Sequence, residues 1–401
     1  MAKTIEYVEG FLFPEYSKRK LQCLSGTYEE LSRLYRNIPK VDKLCENRRE
    51  YLYEKQLVEN KLVFARHLHE ISGAVNDVAE TVMYVSLPTE HKRKTLLRYL
   101  KKQGIQVREM VYIEQGGAKR RLSIVARAYG RMQAGKSCTA EEMAHLLSVF
   151  YDRRLVPCAD SALVMSRNFS TFLFEDEPPF TLMSAMSRAV KENERISGDN
   201  YSVEEYSQGE LVLMIADGMG SGEQASKDSE SVIEFFEKFL DAGFGAEKAF
   251  TMVNAAIASQ NQCANLTTLD LCRVNLHTAE AEFIKAGAVS SFLKRGYLIQ
   301  EITCDSLPLG SFTELSPMTQ SIQLMDGDML IMMSDGVLDC FESENGYNRM
   351  KDVLARYDTA NPKELSDYLL QYAINCQGGR IKDDMTILIA GLWESTAGRQ
   401  D

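Results

Sequence analysis

Four carboxylates stand where an oxygen-ligated cation would want them. Ser197-Gly198-Asp199, Ala216-Asp217-Gly218-Met219-Gly220, Ser334-Asp335-Gly336 and Lys382-Asp383-Asp384-Met385-Thr386 each set an aspartate beside glycine or another aspartate, at the edge of a predicted strand. Two of them follow strongly apolar runs, Leu211–Ala216 and Met329–Met333. A carboxylate leaving a buried strand is costly unless some charge compensates it. Hard oxygen donors flanked by glycine suit Mg²⁺ or Mn²⁺, with no need of a soft ligand. Asp-Gly is also an ordinary turn pair, and any one instance, Asp326-Gly327 included, reads that way. The four in this order, on this strand pattern, point to metal.

Two phosphate-loop look-alikes fare worse. Gly130 to Ser137 (Gly-Arg-Met-Gln-Ala-Gly-Lys-Ser) spells a Walker A pattern, but a working loop needs its helix to begin at Lys136-Ser137. Thr139 followed by Glu142 is a capping box that delays that helix. Gly218-Met-Gly220-Ser-Gly222 fails as a dinucleotide fingerprint, since Glu223 stands where the third glycine belongs and Asp217 would repel a pyrophosphate.

The elements that must position the aspartates follow from periodicity. Strands are predicted at Phe180–Val190, Tyr201–Tyr206, Glu210–Ala216, Thr267–Asn275, Ala281–Ala286, Ser290–Lys294, Asp328–Met333 and Met385–Leu392. Helices are predicted at Glu223–Asp241, Ala246–Gln260, Tyr347–Tyr357 and Pro362–Asn375. Strands grouped around a helix pair indicate an α+β sandwich rather than regular βαβ alternation. Upstream, short helices are expected around Tyr28–Arg36, and a long one from Asp42 to Met83. In the long one Leu57, Phe64, Leu68, Ile71, Val75, Val78 and Val82 make a heptad-like seam. Two explanations of that seam stand level: a core helix packed on its own chain, or a helix that pairs in a homodimer. A basic helix (His91–Gln103), a hairpin of Ile105–Glu114 and Lys119–Ala128, a helix opening at Thr139 and β-like segments from Ser161 to Phe174 form a small α/β region. The acidic, proline-bearing stretch Glu175–Pro179 is the expected boundary, giving segments 1–85, 86–178 and 179–395.

Composition narrows the class. The 401 residues are 45% hydrophobic and 26% charged, as in ordinary globular chains. Nine scattered cysteines without a CxxC pair, and five histidines without zinc spacing, argue against a disulfide framework or zinc site and fit a reducing cytoplasm. No signal peptide or membrane span is expected from the chain as given. The net charge of −11 is uneven: residues 1–178 carry 29 Lys+Arg against 23 Asp+Glu, the remainder 17 against 34. An acidic second half argues against nucleic-acid backbone binding there and would suit divalent cations, although most of those carboxylates form a solvated surface.

The ordered set Ser-Gly-Asp199, Ala-Asp217-Gly-Met-Gly, Thr268-Leu-Asp-Leu271, Lys285-Ala-Gly-Ala288, Leu307-Pro-Leu-Gly310, Ser-Asp335-Gly-Val337 and Asp383-Asp-Met-Thr386 resembles the PPM metal-dependent Ser/Thr phosphatases. Within them it is most similar to the branch of bacterial stage II sporulation protein E. The resemblance covers about Phe180 to Trp393, and more weakly the region before it. It implies a PPM-type β-sandwich flanked by helices, preceded by a long helix and a small α/β regulatory domain. It also implies two ions, Mn²⁺ or Mg²⁺, with Asp217 bridging them and the Gly218 carbonyl binding one. Asp335 and Asp383 would hold the other ion, and Asp199 would act at the edge through water. Asp384 competes with Asp383 for its role; Asp383 is favoured because relatives often carry Asn at the next position.

The implied reaction is hydrolysis of phosphoserine by an activated water, with positioning and electrostatics rather than a covalent intermediate. The implied substrate is a small phosphorylated anti-anti-sigma factor in sporulation-type control. Many eukaryotic relatives carry His where this chain has Met219, so the leaving oxygen must take its proton from water. No counterpart of the arginine that grips phosphate in some relatives is evident, which shifts affinity onto protein–protein contacts. A membrane-spanning portion implied upstream is not in this sequence, so the chain reads as a soluble homologue or a cytoplasmic piece. The rival reading is a phosphatase-like sensor without turnover; third comes nucleotide binding at Gly130–Ser137. The helix pair after the Asp217 loop would alter the site if it moved, and a dimerising heptad helix would bias that movement.

Overall fold

A computed structural model describes residues 21–33, 36, 61–62, 64–76, 83–115, 119–129, 138–158, 161–207, 209–241, 244–260, 266–303, 306–312, 315–341 and 346–395. They fall into two compact units divided between Glu177 and Pro178. The Walker-like stretch Gly130–Ser137 and the seam residues Leu57, Val78 and Val82 lie outside the described residues.

In the first unit, α1 (residues 21–33) and α2 (residues 64–76) are helical. Ser25 and Ser32 on α1 donate hydroxyl hydrogen bonds to the Ser72 and Ala65 carbonyls of α2 at 2.8 and 2.6 Å. The α2 side chains buried beside them are Ala65, Leu68 and Ser72, while the seam residue Phe64 is exposed. The expected helix does not run through Met83. Met83–Ser86 forms strand β1, paired antiparallel with β2 (Ile105–Gln115) so that Val85 faces Ile113. An aromatic and a β-branched residue in four favour that extended run.

Between them lies α3 (Glu90–Lys102), with Glu90 in its first turn and Lys101 and Lys102 in its last, each matching the helix dipole. Strand β3 (Lys119–Ala128), helix α4 (Ala140–Tyr151), β4 (Leu155–Pro157) and β5 (Ser170–Asp176) complete an antiparallel sheet ordered β1-β2-β3-β5-β4. The capping box is present: Glu142 N donates to Thr139 Oγ1 at 3.1 Å and Thr139 N to Glu142 Oε2 at 3.2 Å. Leu96, Leu100, Met143 and Leu147 from the two helices pack on Ile105, Ile124, Phe172 and Phe174 of the sheet.

The second unit is a two-sheet sandwich. Strands β6 (Phe180–Ala189), β7 (Asp199–Ser207) and β8 (Glu210–Gly218) precede helices α5 (Glu223–Asp241) and α6 (Ala246–Gln260). Then come β9 (Thr267–Asn275), β10 (Glu280–Ala286), β11 (Ser291–Arg295), β12 (Leu298–Ile302), β13 (Met318–Gln323) and β14 (Met329–Met333). The short α7 (Asp335–Leu338), α8 (Gly346–Arg356), α9 (Pro362–Cys376) and β15 (Met385–Glu394) close the unit. One sheet is ordered β13-β10-β9-β8-β7, the other β12-β11-β14-β15-β6.

Alternation along each central strand builds three layers. Leu213 and Ile215 of β8 meet Leu330, Met332, Leu388 and Ala390 of the facing sheet. The intervening Val212, Met214 and Ala216 point outward to Phe236, Phe250 and Val253 on α5 and α6. On the opposite side, Ile331, Met333, Ile387 and Ile389 pack under Val337, Leu354, Leu365 and Leu369 of α7–α9. Strands buried on both faces must read as unbroken apolar runs, which is why β8 and β14 do. Helix, sheet, sheet, helix is the α+β sandwich expected from the strand pattern. Among the described residues no helix is long and apolar enough to cross a membrane.

Candidate metal centre and active site

Strand register brings the first two aspartates together. β7 and β8 pair antiparallel with Asp199 directly across from Asp217. Asp217 continues the Leu213, Ile215 parity, so it belongs to the layer between the sheets. Gly218 ends β8, and a Cβ there would stand 2.2 Å from the Ala225 carbonyl oxygen at the start of α5. Only glycine lets the strand end run that close to the helix.

The facing sheet delivers the others. β14 and β15 are neighbours, so Asp335, just past the end of β14, and Asp383 and Asp384, just before β15, emerge at one edge. Ser334 staples that edge: its amide donates to the Thr386 carbonyl and its Oγ accepts from the Thr386 amide, both at 2.9 Å. Asp384 then joins the sheets. Its Oδ2 accepts the Gly198 amide at 2.7 Å and its Oδ1 the Lys191 amide at 2.9 Å. Ser229 of α5 donates to the Gly198 carbonyl at 2.6 Å, so α5 and β15 hold the same tripeptide from two sides.

Asp383 differs from its neighbour. Its side chain is 46% exposed, with Oδ1 taking the Asp384 amide at 3.0 Å and the Lys191 ammonium at 3.3 Å. Both oxygens of Asp384 are committed to backbone amides; Asp383 keeps an oxygen for another partner.

The charges are in strong conflict. Burial, then the neighbouring Asp199, Asp335 and Asp383 carboxylates, push Asp217 up to about 9. Asp335 opens to solvent at its surface while protein crowds it, and that desolvation with Asp339, Asp383 and Asp199 lifts it to about 6. Asp199, 1% exposed, is raised chiefly by burial, against the pull of the nearby Thr386 and Ser334 hydroxyls. Its Oδ2 is buried without a hydrogen-bond partner. An orphaned carboxylate oxygen among mutually repelling carboxylates would be satisfied by a divalent cation, and the donor set is all hard oxygen. The aspartates converge without closing a cage: among the described residues no three His, Cys, Asp or Glu side chains already stand in ligating geometry. Met219, beside the site, is 62% exposed and carries no transferable proton.

Three residues at this site escaped the sequence reading. Ser334 and Thr386 flank motif aspartates, but nothing local marks their hydroxyls as structural. Lys191 sits in an exposed turn with no motif at all. The quoted Asp270 and Lys285 prove to be a buried pair behind the site: Lys285 Nζ lies 2.6 Å from Asp270 Oδ2 and 2.8 Å from Ser291 Oγ.

Two facing antiparallel sheets with helices on both outer faces are the architecture of the PPM-type fold. Comparison with known proteins carries this further. The family model of Stage II sporulation protein E (SpoIIE) matches residues 207–392, and the second unit is a PPM-type phosphatase domain close to SpoIIE. Stage II sporulation protein E of Bacillus subtilis (strain 168) is 26% identical over 358 residues, 88% of this chain. The chain spans 42% of that protein's length. A solved structure of the PP2C phosphatase domain and a fragment of the regulatory domain of Bacillus subtilis SpoIIE is 25% identical. It covers 86% of this chain and 97% of its own, with a TM-score of 0.61. Phosphoserine phosphatase RsbU of Bacillus subtilis (strain 168) is 19% identical over 200 residues, 49% of this chain and 59% of its own.

Proposed function

We propose that this chain is a Mn²⁺- or Mg²⁺-dependent phosphoprotein phosphatase that removes phosphate from serine on a small regulatory protein of the anti-anti-sigma type. One observation carries the reading: Asp199, Asp217, Asp335 and Asp383 come to one end of the sandwich, where burial and then the neighbouring carboxylates lift Asp217 to about 9. Carboxylates gathered at such cost are explained by a cation they share. The phosphoserine specificity and the sigma-control setting are carried over from the named activity of RsbU and from the similarity to SpoIIE.

In this reading Asp217, the Gly218 carbonyl, Asp335 and Asp383 hold the ions and Asp199 acts from the second layer. Asp383 is favoured over Asp384 as the ligand in this reading because the Asp384 oxygens already accept the Gly198 and Lys191 amides. A bound ion pair would supply a water deprotonated near neutral pH and neutralise charge on the phosphoryl oxygens. The chain itself orients the carboxylates through the Ser334–Thr386 staple and the Asp384 bridge. It offers no side-chain acid at Met219, so solvent protonates the departing serine oxygen.

The test is manganese-dependent phosphate release from a phosphoserine-bearing protein. Asp217→Ala is expected to lower the rate by about 10² or more; an unchanged rate overturns the assignment. Metal binding with no turnover in the wild type would instead establish the sensor reading that the bare Met219 position favours.

A further inference from the structure

The acidic cluster has one cation written into its hydrogen bonding. Lys191 follows β6, and its backbone is held on both sides of the side chain. Its amide donates to Asp384 Oδ1 at 2.9 Å, its carbonyl accepts the Glu194 amide at 3.1 Å, and Glu192 N reaches the Ile381 carbonyl at 2.9 Å. Asn193 turns the chain with a left-handed φ of 71°. The turn also reaches the loop beyond Asp217, where Ser221 Oγ donates to Glu194 at 3.1 Å. From this anchored backbone the ammonium extends to Asp383 Oδ1 at 3.3 Å, with the two side chains 34% and 46% exposed.

An ion pair at that exposure contributes little to stability, and none of the backbone bonds needs a lysine side chain. A phosphomonoester arriving here carries about two negative charges toward a rim of carboxylates. A lysine ammonium is a flexible point charge suited to phosphoryl oxygens. We infer that Lys191 is the substrate-binding cation of this site: its ammonium rests on Asp383 in the free protein and transfers to the phosphoryl group when Asp383 is engaged by a metal ion. This rests on the phosphatase reading and adds the phosphate contact that the sequence did not disclose. Arg195 lies in the same turn, with its side chain exposed, and is the competing cation.

The experiment uses the full chain as wild type, Lys191→Met, Lys191→Arg and Arg195→Met. Calorimetry measures Mn²⁺ binding, then inorganic phosphate binding to the Mn²⁺-loaded protein; steady-state kinetics use p-nitrophenyl phosphate. Lys191→Met is expected to weaken phosphate binding and raise KM by about tenfold, with kcat within about threefold, because one charge-assisted contact is lost. Its Mn²⁺ affinity should be equal or higher, the ammonium no longer competing for Asp383. Lys191→Arg should restore most of the phosphate affinity, and Arg195→Met should change it by less than about twofold.

Phosphate affinity indifferent to Lys191→Met, or lost in Arg195→Met instead, overturns the inference. So does a parallel fall in Mn²⁺ affinity, which would make Lys191 merely structural, and so does a wild type that binds no phosphate. Lys191-dependent phosphate binding without hydrolysis would sink the phosphatase reading and leave this one standing. Hydrolysis indifferent to Lys191 would do the reverse.

Discussion

Asp383 and Asp384 are neighbours in sequence with opposite environments, and substitution should separate them. Asp384→Ala strips two amides, those of Gly198 and Lys191, of their acceptor. Leaving both unpaired costs about 2–4 kcal/mol, read as a fall in urea midpoint of the metal-free protein. Asp383→Ala removes a half-exposed carboxylate and should leave the unfolding free energy of the metal-free protein within about 0.5 kcal/mol of wild type while weakening Mn²⁺ binding. The cluster also predicts the pH dependence. Asp217 titrates at about 9 when folded against an ordinary 3.8, so between those values the folded state holds a proton that the unfolded state has lost. Stability of the metal-free protein then falls as pH rises through this window, with Asp335 contributing up to about 6. Asp217→Asn, which cannot ionise, should flatten the decline in melting temperature between pH 6 and 9. Adding Mn²⁺ should reverse the trend, since ligation needs ionised carboxylates and expels their protons. A pH-independent melting temperature in the metal-free wild type would contradict the proposed crowding.

At the scale of elements, the sandwich is pinned behind the site by a charge pair. Lys285 on β10 is 1% exposed and reaches Asp270 on β9 of its own sheet and Ser291 on β11 of the other. Lys285→Met would leave Asp270 buried and unpaired, a loss of about 3–5 kcal/mol in denaturant unfolding. The double variant Lys285→Met, Asp270→Leu should recover part of that loss, because no lone charge remains. Equal losses in single and double variants would show that the packing around the pair, rather than its charge, matters. The strands predicted in the second unit all materialised, from the doubly buried β8 and β14 to the edge strands β6 and β7. β12 and β13 were not predicted: both lie at sheet edges with mixed burial, so Leu298–Ile302 and Met318–Gln323 carry no clean period. The expected helix ends at Met83, whereas Met83 opens a strand that depends on pairing with β2.

For the whole molecule, the three apolar clusters of the second unit draw only on residues beyond Phe180. A fragment of residues 178–401 is therefore expected to unfold in one cooperative transition. If the first unit controls the site, as the heptad helix led us to propose, the fragment should differ from the full chain in Mn²⁺ affinity and rate. Sedimentation of the full chain tests the homodimer. The sequence by itself determined the strands buried on two faces, the helices with caps and moments, and the aspartates that follow apolar runs, because those signals are local to a few turns of chain. The tertiary structure alone decided that Asp384 bridges the Gly198 and Lys191 amides while Asp383 keeps one oxygen outside such bonds. It also decided that the Lys191 ammonium meets Asp383. The bonds of Asp384 and Lys191 join opposite ends of the unit, with Gly198 and Asp384 186 positions apart, and no local pattern encodes which distant amide a carboxylate will meet.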